Sequence, residues 1–482
     1  RDKFRNDSGH AFSKRSTELG QELRKDVIQS HLGISREKIF FVDHSLSHAC
    51  YAYYSTPARY KKSKSLVITL DAFGDNINYS SSIFTQKNDV VSREIISQGK
   101  DLIIARLYRY ITLLLGLKPD EHEYKVMGMA PYCKEKYYQE LLNKFKQMQV
   151  VRDVDFVYIN KPKDLYFTIK DIIDGERFDT ISGAIQAYSE YLITTWVKNL
   201  IKKTNVKNIS IAGGVGMNVK ANMLLAKLQE IDYLYVPPTP DDTSQAIGAL
   251  FAFVHKNQIG KKNMIKVFKN PYLGREDKVS IYDLEKIIKK LNFKSEIIIK
   301  KYIPKNVAKE ILDGKIVATF FSKEEFGARA LGNRSILANP SSAFVKKRIN
   351  EKIKNRDFWM PFACSINAEY CEKYIKLDTP KSSYQFMTIC TQTTKKGADL
   401  LQAGIHPYDE TCRPQIVFKN QNEKYHQLIE EFGNLSGVYA LLNTSFNLHG
   451  SPIVSSVKDA LTVFLKSKLD ILIVNEFVIF KK

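Results

Sequence analysis

The sequence predicts an α/β protein built from two domains, and three observations support that prediction. A chain of 482 residues is longer than one hydrophobic core usually holds. Apolar runs such as LVITL and ISIA lead directly into turns rich in glycine and aspartate, which is typical of strand ends in open α/β sheets. A polar stretch punctuated by Gly and Pro covers residues 255–275 and favours a boundary there. We therefore expect domains at residues 1–265 and 266–482.

The composition predicts a globular, soluble protein of the cytoplasm. Hydrophobic residues make up 44% of the chain and charged residues 26%, and no apolar run is long enough to cross a bilayer. The six cysteines show neither a CxxC pair nor the density of a disulfide scaffold, which indicates reduced thiols.

The net charge of +21 raises the alternative of a nucleic-acid-binding protein. The lysines, however, are spread along the whole chain, and no basic stripe interleaved with aromatic residues is present. Because clustering is what makes the electrostatic argument, we expect neither nucleic acid nor a membrane as a partner.

Two histidines at helical spacing form the first candidate site. The apolar run KIFFV (Lys38 to Val42) predicts a short strand, and Asp43 after it predicts the cap of a helix. His44 and His48 then lie four residues apart on one face of that helix, where two imidazoles can share a metal ion. The competing interpretation is a pair of histidines held by hydrogen bonds, and a carboxylate at a nearby strand end would favour the metal.

Two carboxylates at strand ends meet that requirement. The run SLVITLDAFGD (Ser65 to Asp75) predicts a buried strand leading into Asp71, and SSSIFTQ predicts the return strand of a hairpin like those of actin-like ATPases. Asp242 follows a second strand, IDYLYV, and a proline-rich turn, where Asp241 and Asp242 can cap an Ala/Gly-rich helix. The competing interpretation of the hairpin is a plain β-turn formed by Asp and Gly.

The segments between these motifs predict packing rather than chemistry. The run IIARLYRYITLLLG predicts a helix, and a second helix is expected to begin near Glu123. Residues 134–180 are rich in Lys and Asp with little periodicity, so we expect a surface excursion there. Residues 181–203 predict a long amphipathic helix with a role in core packing only.

A glycine turn is a further candidate feature of the first domain. The apolar strand ISIA enters Gly213 and Gly214, and a helix is expected to begin near Met217. Backbone N–H groups in such a turn, with a helix N-terminus behind them, can cradle a phosphate or a ribose. The spacing matches neither a Walker A loop nor a complete GxGxxG motif.

The second domain is organised around residues 324–340, EEFGARALGNRSILANP. This stretch follows the strand-like run KIVATFF and carries Arg329, Arg334 and Ser335 together with two glycines. A guanidinium presents a fork of donors that suits phosphate and carboxylate oxygens, and glycine lets a backbone approach such a ligand closely. The stretch therefore predicts an anion site, with a solvated basic loop as the alternative.

Three further stretches of this domain carry groups that suit a polyanion. Lys354 precedes an aromatic-Pro turn, Arg413 opens a strand, and the apolar strand YALL delivers Asn443 and Ser445. Each stretch alone is compatible with a cap or a turn. Cations and neutral hydrogen-bond groups gathered at strand edges of one domain predict a pocket for a triphosphate.

Taken together, these motifs resemble one family. The stretches EFGARALGNRSILANP, IKNRDFWMPFA and LLNTSFNLHGSPIV resemble signatures of the carbamoyltransferases of the nodulation-factor, cephamycin and tobramycin type. HSLSHACYAYY, ITLDAFGD, EYKVMGMAPY and AGGVGMNVKAN are similar to motifs of the same family's first domain, in the same order. The resemblance implies an actin-like ATPase (ASKHA) type transfer domain followed by a YrdC-like α/β domain.

The resemblance also implies a reaction in two stages. The YrdC-like domain would form carbamoyl-adenylate from carbamoyl phosphate and ATP, with Mg(II) on the nucleotide. The first domain would then transfer the carbamoyl group to a hydroxyl of a sugar or natural product. We expect the remaining partners to be this small-molecule acceptor and, as an open alternative, a second copy of the chain in a homodimer.

Site residues are implied by the same motif matches. The ligands of a divalent metal, Fe(II) in the family, are His44, His48, Asp71 and Asp242. The nucleotide-contacting turn comprises Gly213, Gly214 and Asn218, and the pocket for ATP and carbamoyl phosphate comprises Arg329, Lys354, Arg413, Asn443 and Ser445. The implied catalytic groups are His44, His48, Asp71, Arg329 and Lys354. Two histidines with two carboxylates would also suit zinc or manganese.

The chain departs from the family pattern in three places. Ala328 and Cys364 stand where the family usually carries proline, which affects backbone stiffness more than chemistry. No part of the early sequence resembles the family's opening strand and its Gly/His/Ser-bearing phosphate hairpin. We therefore expect the first domain to be incomplete at its N-terminus and, if the hairpin is absent, transfer to be impaired while adenylation is largely retained.

Three alternatives stay open from the sequence alone. A tRNA threonylcarbamoyl-transfer protein or a sugar kinase of the actin fold would share the histidines and the glycine turn. Neither would require the stretches RALGNRS and NTSFN of the second domain. The third alternative is a catalytically inactive scaffold that keeps the motifs of the family.

Overall fold

The structure is a computed structural model that describes residues 14–57, 63–87, 90–257, 270–291, 296–354, 357–448 and 450–481. The chain divides into two compact units, residues 1–267 and 268–482. The domain boundary predicted between residues 265 and 266 lies outside the described residues.

The first unit alternates helices with strands. In chain order they are α1 (Lys14–Leu32), α2 (His44–Ser55), β1 (Lys64–Gly74), β2 (Ile77–Lys87), β3 (Val90–Gly99), α3 (Ile104–Leu114), α4 (Glu123–Met129), α5 (Glu135–Lys146), β4 (Gln149–Arg152), β5 (Asp155–Tyr158), α6 (Leu165–Ile173), α7 (Phe178–Thr204), β6 (Asn208–Ala212), α8 (Val219–Ala226), β7 (Tyr233–Tyr235) and α9 (Gln245–Asn257). Short 3-10 turns cover Arg36–Lys38, Ala130–Tyr132, Gly214–Met217 and Asp242–Ser244.

A five-stranded mixed sheet runs through this unit in the order β3-β2-β1-β6-β7. Strand β1 pairs antiparallel with β2 and parallel with β6, and its residues 65–70 are buried. Because β1 and β6 run parallel, with Thr69 opposite Ala212, they deliver the turns that follow them to the same edge of the sheet. The predicted strand into Asp71, its return strand and the α/β class are confirmed.

The hairpin between β1 and β2 brings a carboxylate to this edge. Asp75 and Asn76 form a two-residue turn with φ of 50° and 66°, a left-handed conformation that Asp and Asn tolerate. The pairing of β1 with β2 is irregular between Leu70 and Gly74, the segment that contains Asp71. An irregularity of this kind can re-aim a side chain at the end of a strand.

One predicted strand of the first unit was wrong. Residues 39–43 form no strand, and a 3-10 turn at Arg36–Lys38 precedes them. The ring of Phe40 packs instead against Phe253 of α9, with 4.8 Å between the ring centroids. A short apolar run can bury its side chains against a helix as well as in a sheet, so its composition did not decide between the two.

The expectation of a surface excursion at residues 134–180 was also wrong. This segment forms α5, the hairpin β4–β5 and α6. Phe145 and Ile169 are fully buried, and the ring of Phe156 lies 5.2 Å from that of Trp196 on α7. Each of these elements is short and amphipathic, with lysines on its exposed face. The apolar periodicity of a single element is therefore hidden when hydrophobicity is averaged over the whole segment.

The second unit has a similar alternation of elements. In chain order they are α10 (Ile281–Lys290), β8 (Ile297–Lys301), α11 (Pro304–Leu312), β9 (Val317–Phe320), β10 (Ser335–Ala338), α12 (Ala343–Ile349), β11 (Ala363–Asn367), β12 (Thr391–Gln392), α13 (Lys395–Leu400), β13 (Thr411–Cys412), β14 (Pro414–Val417), α14 (Glu423–Ser436), β15 (Ala440–Ser445), α15 (Val457–Lys466), β16 (Ile471–Val474) and β17 (Phe477–Lys481). A π-helical turn covers Asn350–Lys354, and 3-10 turns cover Cys371–Lys373 and Lys381–Tyr384.

An eight-stranded sheet in the order β14-β11-β15-β10-β9-β16-β17-β8 organises this unit. Strand β10 pairs antiparallel with both β9 and β15, which places Ser335 opposite Ser445. A buried core cluster includes Phe320, Leu442 and Phe464, and these three side chains are fully buried. The predicted strands KIVATFF and YALL are confirmed, as is the α/β class of this unit.

All six cysteines are buried, and none of them forms a disulfide in the structure. This agrees with the reduced thiols expected from the sequence. Among the described residues, no helix combines the length and the apolar character that a membrane crossing requires.

Candidate functional site

Four predicted metal ligands converge in the first unit. His44 and His48 lie on consecutive turns of α2, which is capped at its N-terminus by Asp43 as predicted. Asp71 lies near the carboxyl end of β1, and Asp242 opens the 3-10 turn that precedes α9. Each of the four residues contributes one ligand atom, and these four atoms all lie within 4.8 Å of one another.

Both imidazole Nε2 atoms face both carboxylates. Nε2 of His44 lies 2.8 Å from Oδ2 of Asp71 and 3.3 Å from Oδ1 of Asp242. Nε2 of His48 lies 3.1 Å from each of the same two oxygens. An imidazole Nε2 carries at most one proton, so it cannot donate a well-formed hydrogen bond to both oxygens at once. Hydrogen bonds within the cluster therefore cannot satisfy every close N–O contact. A central cation bound by the nitrogen and oxygen atoms would satisfy them all.

The spacing of these atoms suits a transition-metal ion. Ligands held at about 2.0 to 2.2 Å from one ion lie about 3 Å from each other. The N–O distances in the cluster, from 2.8 Å to 3.3 Å, match that spacing. Iron, zinc and manganese all accept imidazole and carboxylate ligands. The residues present therefore fit a divalent metal.

The imidazoles and carboxylates shift each other's pKa. Burial would lower the pKa of His44, but hydrogen bonds to Asp242 and Asp71 outweigh it and raise the pKa to about 10. The pKa of His48 is raised by the same two carboxylates against the effect of burial. Burial would raise the pKa of Asp71, yet its bonds to the histidines lower the pKa to about 2. Hydrogen bonds to His44 and His48 likewise lower the pKa of Asp242. Without a metal, imidazolium and carboxylate groups therefore neutralise each other here.

The surrounding backbone holds these ligands in place. Oδ1 of Asp71 accepts hydrogen bonds from the backbone N–H groups of Ala72 (2.8 Å) and Gly214 (3.4 Å), while Oδ2 faces the histidines. The backbone N–H of His44 donates to Oδ2 of Asp75 in the hairpin turn at 2.9 Å. The glycine turn and the hairpin therefore orient the candidate ligands from two sides.

Two glycines allow this close approach. Gly213 has a φ of 90°, and a Cβ there would lie 2.1 Å from the carbonyl oxygen of Leu70. A Cβ at Gly74 would lie 2.2 Å from Cδ2 of His44. Larger residues at either position would displace the elements that carry the cluster.

Asn218 has a structural role that the sequence analysis did not anticipate. Its Oδ1 accepts a hydrogen bond from the backbone N–H of Ala221 (3.0 Å), which makes Asn218 the N-cap of α8. Its amide also exchanges two hydrogen bonds with Gln186 of α7, at 3.0 Å and 3.2 Å. The hydroxyl of Tyr108 donates to Oε1 of Gln186, the side-chain oxygen that also accepts from Asn218. Helix α7 thus packs in the core as predicted and also supplies Gln186 to this buried hydrogen-bond network.

In the second unit, the loop between β9 and β10 folds around a buried carboxylate. Oε1 of Glu325 accepts hydrogen bonds from the backbone N–H groups of Leu331 (2.7 Å), Asn333 (2.8 Å) and Arg334 (3.1 Å). Glu325 was not among the site residues predicted from the sequence. The sequence shows Glu325 only as an acidic residue directly before a Gly- and Arg-rich turn. Its role was not predictable, because the N–H groups reach the carboxylate only after the chain has turned back.

Arg334 holds the same loop from another side. Its buried guanidinium donates to the carbonyl oxygens of Phe321 (2.7 Å) and Ser322 (3.1 Å) and lies 3.5 Å from the centroid of the Phe320 ring. The expectation that Arg334 helps form an anion fork is therefore wrong, since both terminal nitrogens of its guanidinium donate to carbonyl oxygens of the protein. Arg329 of the same loop is half-buried.

Lys354 and the end of β15 form one polar cluster. The buried ammonium of Lys354 donates to the carbonyl oxygen of Ser445, to its hydroxyl (3.2 Å) and to Oδ1 of Asn447. The hydroxyl of Ser445 also donates to Oδ1 of Asn447 at 2.8 Å. Two stretches that the sequence placed in one pocket are thus in direct contact.

Asn443 and the strand after Arg413 contact the loop that carries Arg329. Nδ2 of Asn443 donates to the carbonyl oxygen of Ala330 at 3.1 Å. Nε2 of Gln415 donates to the carbonyl oxygen of Leu331 at 2.8 Å. Burial lowers the pKa of Arg413, which directly precedes β14. The backbone just beyond Arg329 is therefore fixed on β15, which carries Asn443, and on β14, which Arg413 directly precedes.

Two family models match the chain. The model for the carbamoyltransferase N-terminus matches residues 14–251, and the model for the carbamoyltransferase C-terminus matches residues 308–481. The first match falls within the first unit and the second within the second unit. Together they cover most of the chain.

Several curated proteins are similar along most of the chain. An uncharacterised protein of Methanocaldococcus jannaschii is 34% identical over 462 residues, which cover 92% of this chain and 84% of that protein. The nodulation protein NolNO of Sinorhizobium fredii is 30% identical over 473 residues, covering 96% of this chain and 66% of that protein. The nodulation protein NolO of Bradyrhizobium diazoefficiens is 29% identical over 430 residues, covering 87% and 76%.

A weaker similarity links the chain to a solved structure. HypF of T. kodakarensis aligns with 52% of this chain and 40% of its own chain, with 15% sequence identity and a TM-score of 0.27. A similarity at that level supports no argument about this fold. The family models and the curated relatives confirm the resemblance seen in the motifs, and the chain belongs to the carbamoyltransferase family of enzymes.

Proposed function

We propose that this enzyme is an ATP-dependent O-carbamoyltransferase that works in two stages. The observation that carries the proposal is the convergence of His44, His48, Asp71 and Asp242, in a chain whose two halves match the two carbamoyltransferase models. We assign transfer to an ASKHA-type domain at residues 1–265 and adenylation to a YrdC-like domain at residues 266–482. The acceptor is a hydroxyl of a sugar or natural product.

In the proposed reaction the carbamoyl group passes through an adenylate. Water cleaves carbamoyl phosphate to carbamate and phosphate, and a carbamate oxygen attacks the α-phosphorus of ATP, so that pyrophosphate leaves and carbamoyl-adenylate forms. The acceptor hydroxyl then attacks the carbamoyl carbon, loses its proton, and AMP leaves. The first stage needs cations around the phosphates, and the second needs an electrophile at the carbamoyl or phosphate oxygen.

The second unit offers those cations. We assign Arg329, Lys354 and Arg413 to the phosphates of ATP and carbamoyl phosphate, with Asn443 and Ser445 as neutral hydrogen-bond partners. Support comes from the contact of Lys354 with Ser445 and from the anchoring of Ala330, next to Arg329, on Asn443. In this arrangement the protein itself orients the ammonium before the nucleotide arrives.

In the first unit we assign a divalent metal, Fe(II), to His44, His48, Asp71 and Asp242. When bound, such a metal supplies a Lewis acid. The chain's own contribution is orientation, since Asp71 is held through Oδ1 by Ala72 and Gly214. The imidazolium protons must leave before both Nε2 atoms can serve as ligands.

The adenylation stage is tested by pyrophosphate release from ATP, with and without carbamoyl phosphate. We expect release that depends on carbamoyl phosphate and is lost in Arg329→Ala. Lys309→Ala is the matched control, because Lys309 is an exposed cation on α11 of the same unit. Folded wild-type protein that releases no pyrophosphate would contradict this stage.

The metal assignment is tested by anaerobic titration with Fe(II), and separately with zinc and manganese. We expect one bound ion per chain and a loss of that binding in His48→Gln. His31→Gln is the matched control, since His31 is exposed in the last turn of α1. Equal binding by both variants would show that the ion is held elsewhere.

A further inference from the structure

A half-buried guanidinium lies over Phe73, on the strand that carries Asp71. Arg106 is in the first turn of α3, and its Cζ lies 5.5 Å from the centroid of the Phe73 ring. Phe73 is two residues beyond Asp71 in β1. Helix α3 packs against β1 and against the glycine turn at Gly214–Met217. The helix that carries Arg106 thus packs against two elements of the proposed transfer site.

The contacts of Arg106 leave donors unused. One terminal N–H group donates to the hydroxyl of Tyr158 at 3.3 Å. Its Nε is buried and has no hydrogen-bond partner within the described part of the chain. Arg109 on the same helix is different, since it is exposed and paired with Asp120 at 3.1 Å. A buried N–H without an acceptor is costly, and an oxygen of a bound ligand would remove that cost.

The surroundings of Arg106 suit an anion that is attached to a ring. The ring of Phe73 lies under its guanidinium, and Tyr158 accepts its hydrogen bond. Nζ of Lys161 lies 5.3 Å from the centroid of the Tyr158 ring and adds a second cation. Aromatic faces next to cations bind sugar or base rings through contact and their phosphates through charge.

We propose that Arg106 binds an anionic oxygen group, a phosphate or a carboxylate, of a substrate held at the centre formed by His44, His48, Asp71 and Asp242. This inference rests on the proposed transfer function and adds the chemical class of the group that is recognised there. Two sources of such an anion are the phosphate of the adenylate donor and an acidic group on the acceptor.

The experiment compares Arg106→Gln and Arg106→Lys with Arg109→Gln in the metal-loaded chain of 482 residues. The probes are AMP for the donor, glucose 6-phosphate for the acceptor and neutral glucose as a control, each followed by isothermal titration. Loss of charge-assisted hydrogen bonds to a phosphate weakens binding by about tenfold or more. We expect that loss in Arg106→Gln for one anionic probe, a smaller loss in Arg106→Lys, and none in Arg109→Gln.

Each outcome decides the proposal. A loss confined to AMP assigns the anion to the donor, and a loss confined to glucose 6-phosphate assigns it to the acceptor. Binding of AMP to the second unit is expected to be equal in all variants. The role of Arg106 is therefore measured by the difference in AMP affinity between each variant and wild type. Equal affinities in wild type and Arg106→Gln overturn the proposal, as does wild type that binds neither anion at millimolar concentration. If Arg106→Gln does not fold, unchanged affinities in Arg106→Lys overturn it.

Failure of this inference is distinguishable from failure of the proposed function. Metal binding by the four-residue centre and pyrophosphate release are measured on the same samples, and neither depends on Arg106. Wild type that fails those two assays contradicts the proposed function. Variants that pass both and bind the anionic probes normally contradict only the role of Arg106.

Discussion

The carboxylate of Glu325 accepts a hydrogen bond of 3.1 Å from the backbone N–H of Arg334, within the loop that carries Arg329. The guanidinium of Arg334 in turn donates to the carbonyl oxygen of Phe321 at the start of the same loop. A buried acid and a buried base therefore tie the two ends of the loop together. This arrangement limits the conformations in which Arg329 can be presented to a ligand.

Replacing Glu325 by alanine should destabilise the second unit. Three backbone N–H groups would lose their acceptor in a buried site. Each such group costs about 1–3 kcal/mol, so we expect the free energy of unfolding to fall by at least about 3 kcal/mol. Urea unfolding of the full chain measures the change. Glu285→Ala, at an exposed position of α10, is the control; an equal effect of both substitutions would show that the loop does not depend on Glu325.

Gly213→Ala should destabilise the first unit more than the same substitution at an open glycine. At the control Gly175→Ala, where φ is 74° and the space is open, we expect the cost of about 1–2 kcal/mol of a left-handed non-glycine residue. Gly213 has a φ of 90° and a ψ of 157°, a conformation that is essentially restricted to glycine. At Gly213 the added Cβ also meets the carbonyl oxygen of Leu70. We expect thermal unfolding to show a clearly larger destabilisation for Gly213→Ala. Matching melting temperatures for the two variants would contradict this close approach.

The stability of the metal-free chain should fall as pH rises above neutrality. The pKa of His44 is raised to about 10 by Asp242 and Asp71 against the effect of burial, whereas an unfolded histidine has a pKa of about 6.5. The folded chain therefore binds this proton more tightly than the unfolded chain does. Its contribution is fully present below about pH 6.5 and is lost as pH rises through about 10.

Urea unfolding with a chelator, from pH 6 to about pH 10, tests this linkage. We expect wild type to lose more stability over that range than His44→Gln, because the variant lacks the titrating group. His31→Gln should behave as wild type. Parallel pH profiles for wild type and His44→Gln would mean that the imidazolium of His44 adds nothing to folding.

Lys354→Met should impair the first stage of the proposed reaction. The substitution removes the ammonium that contacts Ser445 and Asn447 and that we assign to the phosphates of ATP. Loss of one pre-positioned group of this kind lowers a rate by about a hundredfold or more. Carbamoyl-phosphate-dependent pyrophosphate release measures the effect. Lys352→Met, an exposed lysine on the same π-helical turn, should leave the rate unchanged. A normal rate in Lys354→Met would remove Lys354 from the phosphate pocket.

The parts of the site that follow from local chemistry were predictable. Asp43 caps α2, and the i, i+4 spacing places His44 and His48 together, because both effects act within about one helical turn. The strand into Asp71 and its return strand were also predicted correctly, since the apolar run LVITL leads directly into turn-forming Asp and Gly residues. The motifs then indicated the family, which the family models confirm.

Contacts between distant residues decided what the sequence left open. Asp242 lies 194 residues from His48, and only the parallel strands and α9 bring its carboxylate to the imidazole. Arg329 and Arg334 have the same side chain, yet burial among carbonyl groups makes Arg334 a structural residue. Glu325 and Gln186 gain their roles from partners that reach them only after the chain has folded back. Sequence spacing reports local geometry, whereas the partners of a buried polar group are set by tertiary packing.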